Sequence, residues 1–336
     1  SLWWPATFPA RLASPVHSIP GLGTPDIAGK LGVGILFTAT ELGDDAPDKT
    51  EIQKLASGAN SDQFSGDLIG PAKKKAGKLL PTTVPFSLNF EDQESATLTI
   101  AKNKFDLKVG QWSPVFEISF KMSMLISLKA VTRAILIKGK EQPQLYFLPL
   151  QIHPMSSAWP YASPRNFAKK TWQDHGPFLT LGWPQDTTGL NEGILTDDQF
   201  LTLCDDILNT REQVFMSQVE DYHEGVLGIV FDTLDRVQHM FWKYQPELIE
   251  QWYLKLDALI GRIESKIQAT GNQDAQLLLL SDHGFENFDY KVNLNKWLVD
   301  EGYLKTYEPD SLSIADADWY RSQAYAVGLN SLYLNL

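Results

Sequence analysis

The sequence predicts an α/β protein, a mostly parallel sheet flanked by helices and interrupted by a β-rich insertion. Two patterns carry that expectation. Val226-Leu227-Gly228-Ile229-Val230-Phe231 is a continuous apolar run, as expected of a strand covered on both faces. It is followed by helical spacing over residues 246–268 and a second apolar run, Leu277-Leu278-Leu279-Leu280. Strand, helix, strand is a βαβ unit, whose strands run parallel through a right-handed crossover. Residues 84–150 instead alternate apolar and polar positions with a period of two, the mark of antiparallel strands.

The elements follow in order. Residues 1–83 read as the start of the α/β domain. They hold a Trp/Pro-rich opening, a Gly/Pro loop over Ile19-Pro20-Gly21-Leu22-Gly23-Thr24-Pro25, a strand near Val33–Phe37, and a polar loop over 44–83. Residues 84–150 form the β-rich insertion or lid, with strands near 96–100, 115–120, 134–137 and 145–148. Residues 151–336 form the α/β core. There a helix spans 197–222, starting near Asp197 or Asp198. Another spans 246–268, with proline in its first turn and Leu248, Trp252, Leu256, Leu259, Ile260, Ile263 and Ile267 on one face.

With 336 residues and 43% hydrophobic content, the chain is long enough to bury a large core. Its net charge of -12 disfavours non-specific binding to nucleic-acid polymers. The basic run Lys73-Lys74-Lys75 reads as a solvated loop. Cys204, the single cysteine, lies in an apolar-periodic stretch and reads as buried filler. No run of 18 apolar residues predicts a transmembrane helix. Both chain ends read as cut, and compartment and oligomeric state stay open.

The chemistry concentrates where the two apolar runs end. The first leads into Asp232-Thr233-Leu234-Asp235-Arg236-Val237-Gln238-His239, the second into Ser281-Asp282-His283-Gly284-Phe285. Ligands of open α/β sheets bind outside the carboxyl ends of strands. Adjacent strand ends stand about 5 Å apart. Asp235 and His239, four apart, share one face of a helical turn and can grip one ion. Asp282 and His283 can converge from a tight loop. Carboxylate oxygen with imidazole nitrogen suits zinc, with manganese as the harder alternative. Asp174-His175-Gly176 repeats the tripeptide of residues 282–284 without an apolar run before it, and reads as a loop or helix end.

These motifs, with Asp235-Arg236-Val237-Gln238-His239-Met240-Phe241-Trp242 foremost, resemble the type I phosphodiesterase/nucleotide pyrophosphatase group of the alkaline phosphatase superfamily. Trp3-Trp4-Pro5-Ala6-Thr7-Phe8-Pro9-Ala10, Gly21-Leu22-Gly23-Thr24-Pro25-Asp26 and Ala324-Tyr325-Ala326-Val327-Gly328-Leu329-Asn330 are similar to bacterial members. The resemblance implies an alkaline-phosphatase-like fold and two divalent metal ions about 4 Å apart. One would sit on Asp235 and His239 and the other on Asp282 and His283. It also implies a small phosphate-ester or nucleotide substrate and a Thr or Ser nucleophile. In the family the nucleophile and the first metal-binding Asp come from upstream of the Trp3-Trp4 region, and a third histidine ligand from downstream of Leu336. The sequence is therefore expected to be an incomplete piece, and Thr7, Ser18 and Thr24 are not assigned as nucleophile.

A phosphomutase of the same superfamily is one alternative, although its Asp-His-Gly is typically followed by Asn. A non-catalytic metal-binding relative is another. A sulfatase is disfavoured, because Cys204 lies in no formylglycine motif. His17, His153 and His223 read as structural or surface residues. Asp26 and Asp186 read as loop caps, and Asp232 as a cap or an acceptor behind the ligands. Trp112 and Tyr146 read as core, with stacking on a base or sugar as the alternative.

Overall fold

The computed structural model describes residues 2–4, 16–29, 32–43, 46–75, 77–157, 160–272, 274–287, 289–308, 311, 313–328 and 331–336. Thr7 lies outside them, as do most of the Trp3–Ala10 stretch and Leu329-Asn330. The chain divides into two compact units, Ser1–Leu280 and Ser281–Leu336.

The first unit opens with β1 (Leu2–Trp4), β2 (Ser18–Pro20), β3 (Ile35–Thr38), β4 (Glu51–Lys54) and β5 (Ala56–Ser57). Longer strands follow: β6 (Gln63–Lys75), β7 (Lys78–Phe90), β8 (Ser95–Ile100) and β9 (Asn103–Lys108). Then come β10 (Phe116–Lys121), β11 (Ser127–Thr132), β12 (Ala134–Lys138), β13 (Gln144–Phe147) and β14 (Gln151–Ile152). Helices α1 (Arg165–His175), α2 (Thr187–Asn191) and α3 (Asp197–Glu220) precede β15 (Gly228–Ile229). Helices α4 (Thr233–Phe241) and α5 (Pro246–Ala269) complete the unit.

The mixed α/β character holds, but the expected mostly parallel sheet does not describe what forms. Among the described residues, β1 pairs in parallel with β2 and β15, and β3 with β4. The remaining pairings are antiparallel, in the sheets β5-β6-β7-β8-β9, β10-β11-β14 and β12-β13-β3-β4. Connection length explains this. Consecutive strands from β5 to β9 are joined by short turns, which permit only antiparallel neighbours.

The polar stretch 44–83, expected as loop, carries β4, β5, β6 and the start of β7, and Lys73 and Lys74 lie on β6 rather than in a loop. Prolines hid these strands from the periodicity. Pro71 falls at the register shift between Ile69 and Ala72. Pro81 and Pro85 sit outside the Phe86–Phe90 segment that pairs with β8, so they face no second complete ladder.

The second expected strand of the βαβ unit is also absent. Residues 277–280 form no strand, and Leu278, Leu279 and Leu280 are exposed. Leucine lacks the branch at Cβ that favours strands, and no described strand offers this run a ladder. The first apolar run keeps only two residues of strand, Gly228–Ile229, paired in parallel with β1 as a crossover topology would have it.

The sheets share a core of Ile35, Phe37, Phe86, Leu98, Phe120 and Phe147, among others, with Phe37 and Phe86 packed edge-on at 4.8 Å between centroids. Trp112 and Tyr146 are buried with Leu36 and Ile135, which is the core role expected of them. Tyr146 donates to Asp186 Oδ2 at 2.5 Å, and Asp186 also accepts from Gly189 N at the start of α2. Gly34 makes room for that tyrosine, since a Cβ there would stand 1.8 Å from its hydroxyl oxygen.

Helix α3 starts in a capping box, Thr196 with Gln199, and α5 starts on Pro246. Phe200, Cys204 and Leu208 of α3 pack with Val237 and Phe241 of α4 and with Trp252, Leu259 and Ile263 of α5. Cys204 is buried, and burial raises its thiol pKa well above the usual value, so it is inert filler. The decoy tripeptide ends α1: His175 is its last residue and Gly176 its C-cap, with positive φ.

The second unit holds α6 (Leu294–Asp300), a 3-10 turn at Ile314–Asp316, and the hairpin β16 (Ala324–Val327) and β17 (Ser331–Leu334). Leu298, Leu304, Ala317 and Ala324 are its small core. Asn295 ties α6 to the hairpin by donating to Ala326 O and accepting from Ala326 N.

Candidate metal-ligand pairs

Asp235 and His239 lie on α4, in the helical turn their spacing predicts. Val237 and Phe241 turn inward and anchor the helix. The acidic Asp235 occupies the first turn, where the helix dipole favours negative charge, and His239 the last. Asp235 Oδ1 stands 3.4 Å from His239 Nε2. Two atoms each about 2.1 Å from one tetrahedral ion stand roughly 3.4 Å apart, so this separation, that of an i,i+4 ion pair, would also accommodate a shared ion.

Buried arginines buttress this pair. Arg236 Nη1 donates to Asp235 Oδ2 at 2.6 Å, and its guanidinium lies over the Trp183 ring, 3.1 Å from the centroid. Burial lowers the Arg236 pKa, and the carboxylates of Asp235 and Asp232 oppose that shift. Asp232, just before α4, makes no side-chain cap. Its Oδ1 instead accepts from Arg211 of α3, and from Gln185 Nε2 at 2.9 Å. Gln185 also donates to Thr233 Oγ1 at 3.1 Å. Asp232 is thus spoken for by a buried cation, and its part is to fix the entry to α4.

Sequence reasoning missed Arg211, Arg236, Gln185 and Trp183 as supports. One signal was available for Arg211. It falls on the apolar stripe of α3 that includes Phe200, Cys204, Leu208 and Val214, and a charge on a buried stripe demands a partner.

Asp282 and His283 open the second unit in a loop. The side chain of Asp282 is 92% exposed, and Asp282 Oδ2 lies 3.8 Å from His283 Nε2. His283 Nδ1 donates to Gly284 O at 2.9 Å, which makes Nε2 the acceptor nitrogen of the ring. Ser281 Oγ donates to His283 O at 2.6 Å, so the turn is held by its own backbone and one hydroxyl. The donor chemistry of both pairs fits a divalent metal. Each supplies only two ligands, and among the described residues no three His, Cys, Asp or Glu side chains are grouped to hold one.

The other candidates take structural roles. Asp26 accepts from Ala28 N, a loop cap. Asp186 caps α2. His153 is buried beside Trp172 and 3.6 Å from Glu117 Oε2, whereas His17 and His223 are exposed.

A family model for type I phosphodiesterase / nucleotide pyrophosphatase matches residues 140–330, more than half of the chain. The chain belongs to that family, whose members are phosphoester hydrolases of small phosphate esters. The matched span includes both Asp/His pairs. Neither the curated proteins nor the solved structures gave a match.

Proposed function

We propose that the protein is a metal-dependent phosphoric ester hydrolase acting on a phosphodiester or nucleotide pyrophosphate, with two divalent ions. Asp235 and His239 would hold one ion, and Asp282 and His283 the other. Zinc suits the mixed oxygen and nitrogen donors, with manganese as the alternative. The observation that carries this reading is the 3.4 Å approach of Asp235 and His239 within the span matched by the family. Bound there, such ions supply Lewis acidity that lowers a nucleophile's pKa and offsets charge growing on phosphate oxygens. Asp235 is oriented by Arg236 and presents Oδ1 toward His239. Gly284 O accepts from His283 Nδ1, which would leave Nε2 of the neutral ring for the ion. No residue is assigned as nucleophile.

A second reading, a non-catalytic metal-binding relative, draws support from the two-ligand count at each pair. Metal content and turnover of bis-p-nitrophenyl phosphate and p-nitrophenyl phosphate separate the two, with Asp282→Ala as comparison. About two ions per chain, with diesterase activity lost in the variant, is the expected result. Bound metal without turnover favours the non-catalytic relative, and absence of bound metal overturns both.

A further inference from the structure

Two hairpins of the β-rich region lie side by side and carry exposed apolar side chains together with a local excess of lysines on this acidic chain. The β6–β7 hairpin extends past its register shift, and residues Lys78 to Pro81 are exposed on both faces of the strand. Leu79 and Leu80, neighbours that point to opposite faces, are both exposed. Beside it runs β10, since Lys73 Nζ donates to Lys121 O at 3.3 Å. The turn between β10 and β11 then presents Met124 at 87%, Leu125 at 94% and Ile126 at 62% exposure.

That turn is built rather than loose. Met122 N and Ser123 N both donate to Ile126 O, and Ser123 Oγ accepts from Leu125 N and Ile126 N. Three consecutive large apolar side chains are therefore held in water by an ordered turn, against the usual drive to bury them.

Charge completes the pattern. The chain carries 41 Asp and Glu, yet none lies within 68–90 or 118–140. Lys73, Lys74, Lys78 and Lys121 are spread around the two tips. We propose that these tips dock the protein on an anionic phospholipid surface, with Met124, Leu125, Ile126 and Leu79 entering the headgroup–acyl boundary and the lysines meeting lipid phosphates. The net charge of -12 opposes approach by other faces, so the same field orients the molecule. No described helix is long and apolar enough to cross a membrane, and attachment of this kind needs none. The inference is independent of the metal reading.

Cosedimentation of the full chain with vesicles of phosphatidylcholine alone, or with added phosphatidylglycerol, tests it. Binding to the anionic vesicles only, weakened by salt, is expected. Met124→Asp with Leu125→Asp is expected to weaken it at least tenfold, and Lys73→Gln with Lys74→Gln about 30-fold, roughly fivefold per charge. Leu254→Asp, on the exposed face of α5, is the control and leaves binding unchanged. All these sites are on the surface, and an unaltered melting temperature confirms folding. No vesicle binding, equal binding to both vesicle types, or binding insensitive to the tip variants overturns the proposal. So does a concentration-dependent dimer abolished by the Met124/Leu125 change, which would make the surface a contact between copies.

Discussion

The two Asp/His pairs have the same chemistry and opposite support. Asp235 and His239 ride on a helix whose buried face packs against α3 and α5, and the carboxylate is gripped by an arginine stacked on Trp183. Asp282 and His283 sit in a solvent-exposed turn that carries hydrogen bonds among Ser281, Asp282, His283 and Gly284, with the Phe285 ring 5.5 Å from that of His283. If the pairs hold metal as proposed, the buried contacts around Asp235 would organise the first on folding, whereas the exposed second pair would lose more rotamer freedom on binding.

The largest effect that sharpens this contrast is Arg211→Ala. It leaves Asp232 buried without its cation at the entry to α4, and should cost about 3–5 kcal/mol in urea unfolding. Metal affinity at Asp235/His239 should fall roughly 10–100-fold with it. Unchanged stability would show that the buttress is dispensable. Next, Asp235→Ala and Asp282→Ala should each lower diesterase turnover about a thousandfold, several kcal/mol of transition-state stabilisation. Their stabilities should part company. Asp235→Ala strips buried Arg236 of its partner and should cost about 1–3 kcal/mol, whereas Asp282→Ala should stay within roughly 0.5 kcal/mol of wild type. Equal stability losses would break the comparison.

Metal should also act unequally on order. Zinc should slow amide exchange across residues 281–287 and leave α4 nearly unchanged, and uniform protection would contradict the difference in pre-organisation. The smallest effect lies in neither pair and serves as a reference for pH. Burial is the largest influence on His153 and holds its pKa below the usual 6.5, against the opposite pull of Glu117. The unfolded chain therefore binds that proton more tightly. The contribution of His153 to stability is present above about pH 6.5 and lost as pH falls through the folded value. Urea midpoints at pH 7.5 and pH 5 should lie closer together in His153→Gln than in wild type; an identical pH slope in the two proteins would remove the assignment.

What the sequence made legible was local. Helices α3 and α5 were readable from their periodicity, the α4 turn from the Asp235–His239 spacing, and β8, β10, β12 and β13 from alternation. Burial of Cys204, Trp112 and Tyr146 followed from composition and pattern. What was not legible depended on partners. Leu277–Leu280 is apolar enough for a strand, yet apolarity supplies no ladder. β6 and β7 form despite Pro71, Pro81 and Pro85, because a register shift and a missing neighbour remove the need for the absent N–H groups. Asp235 is gripped by Arg236, which lies over Trp183, while Gln185 and Arg211 of α3 fix Asp232 at the entry to α4, and short-range spacing cannot report such contacts.

Gly34 bears on how this protein can change over generations. A Cβ at this position would collide with Tyr146, whose hydroxyl joins the sheet to the carboxylate capping α2. Positions 34 and 146 are therefore coupled through space, while the acid at 186 keeps a second role as the cap of α2. A lineage that acquires a side chain at 34 must first surrender the tyrosine. Relatives with a side chain at 34 should accordingly lack the tyrosine at 146, whether or not they keep the aspartate.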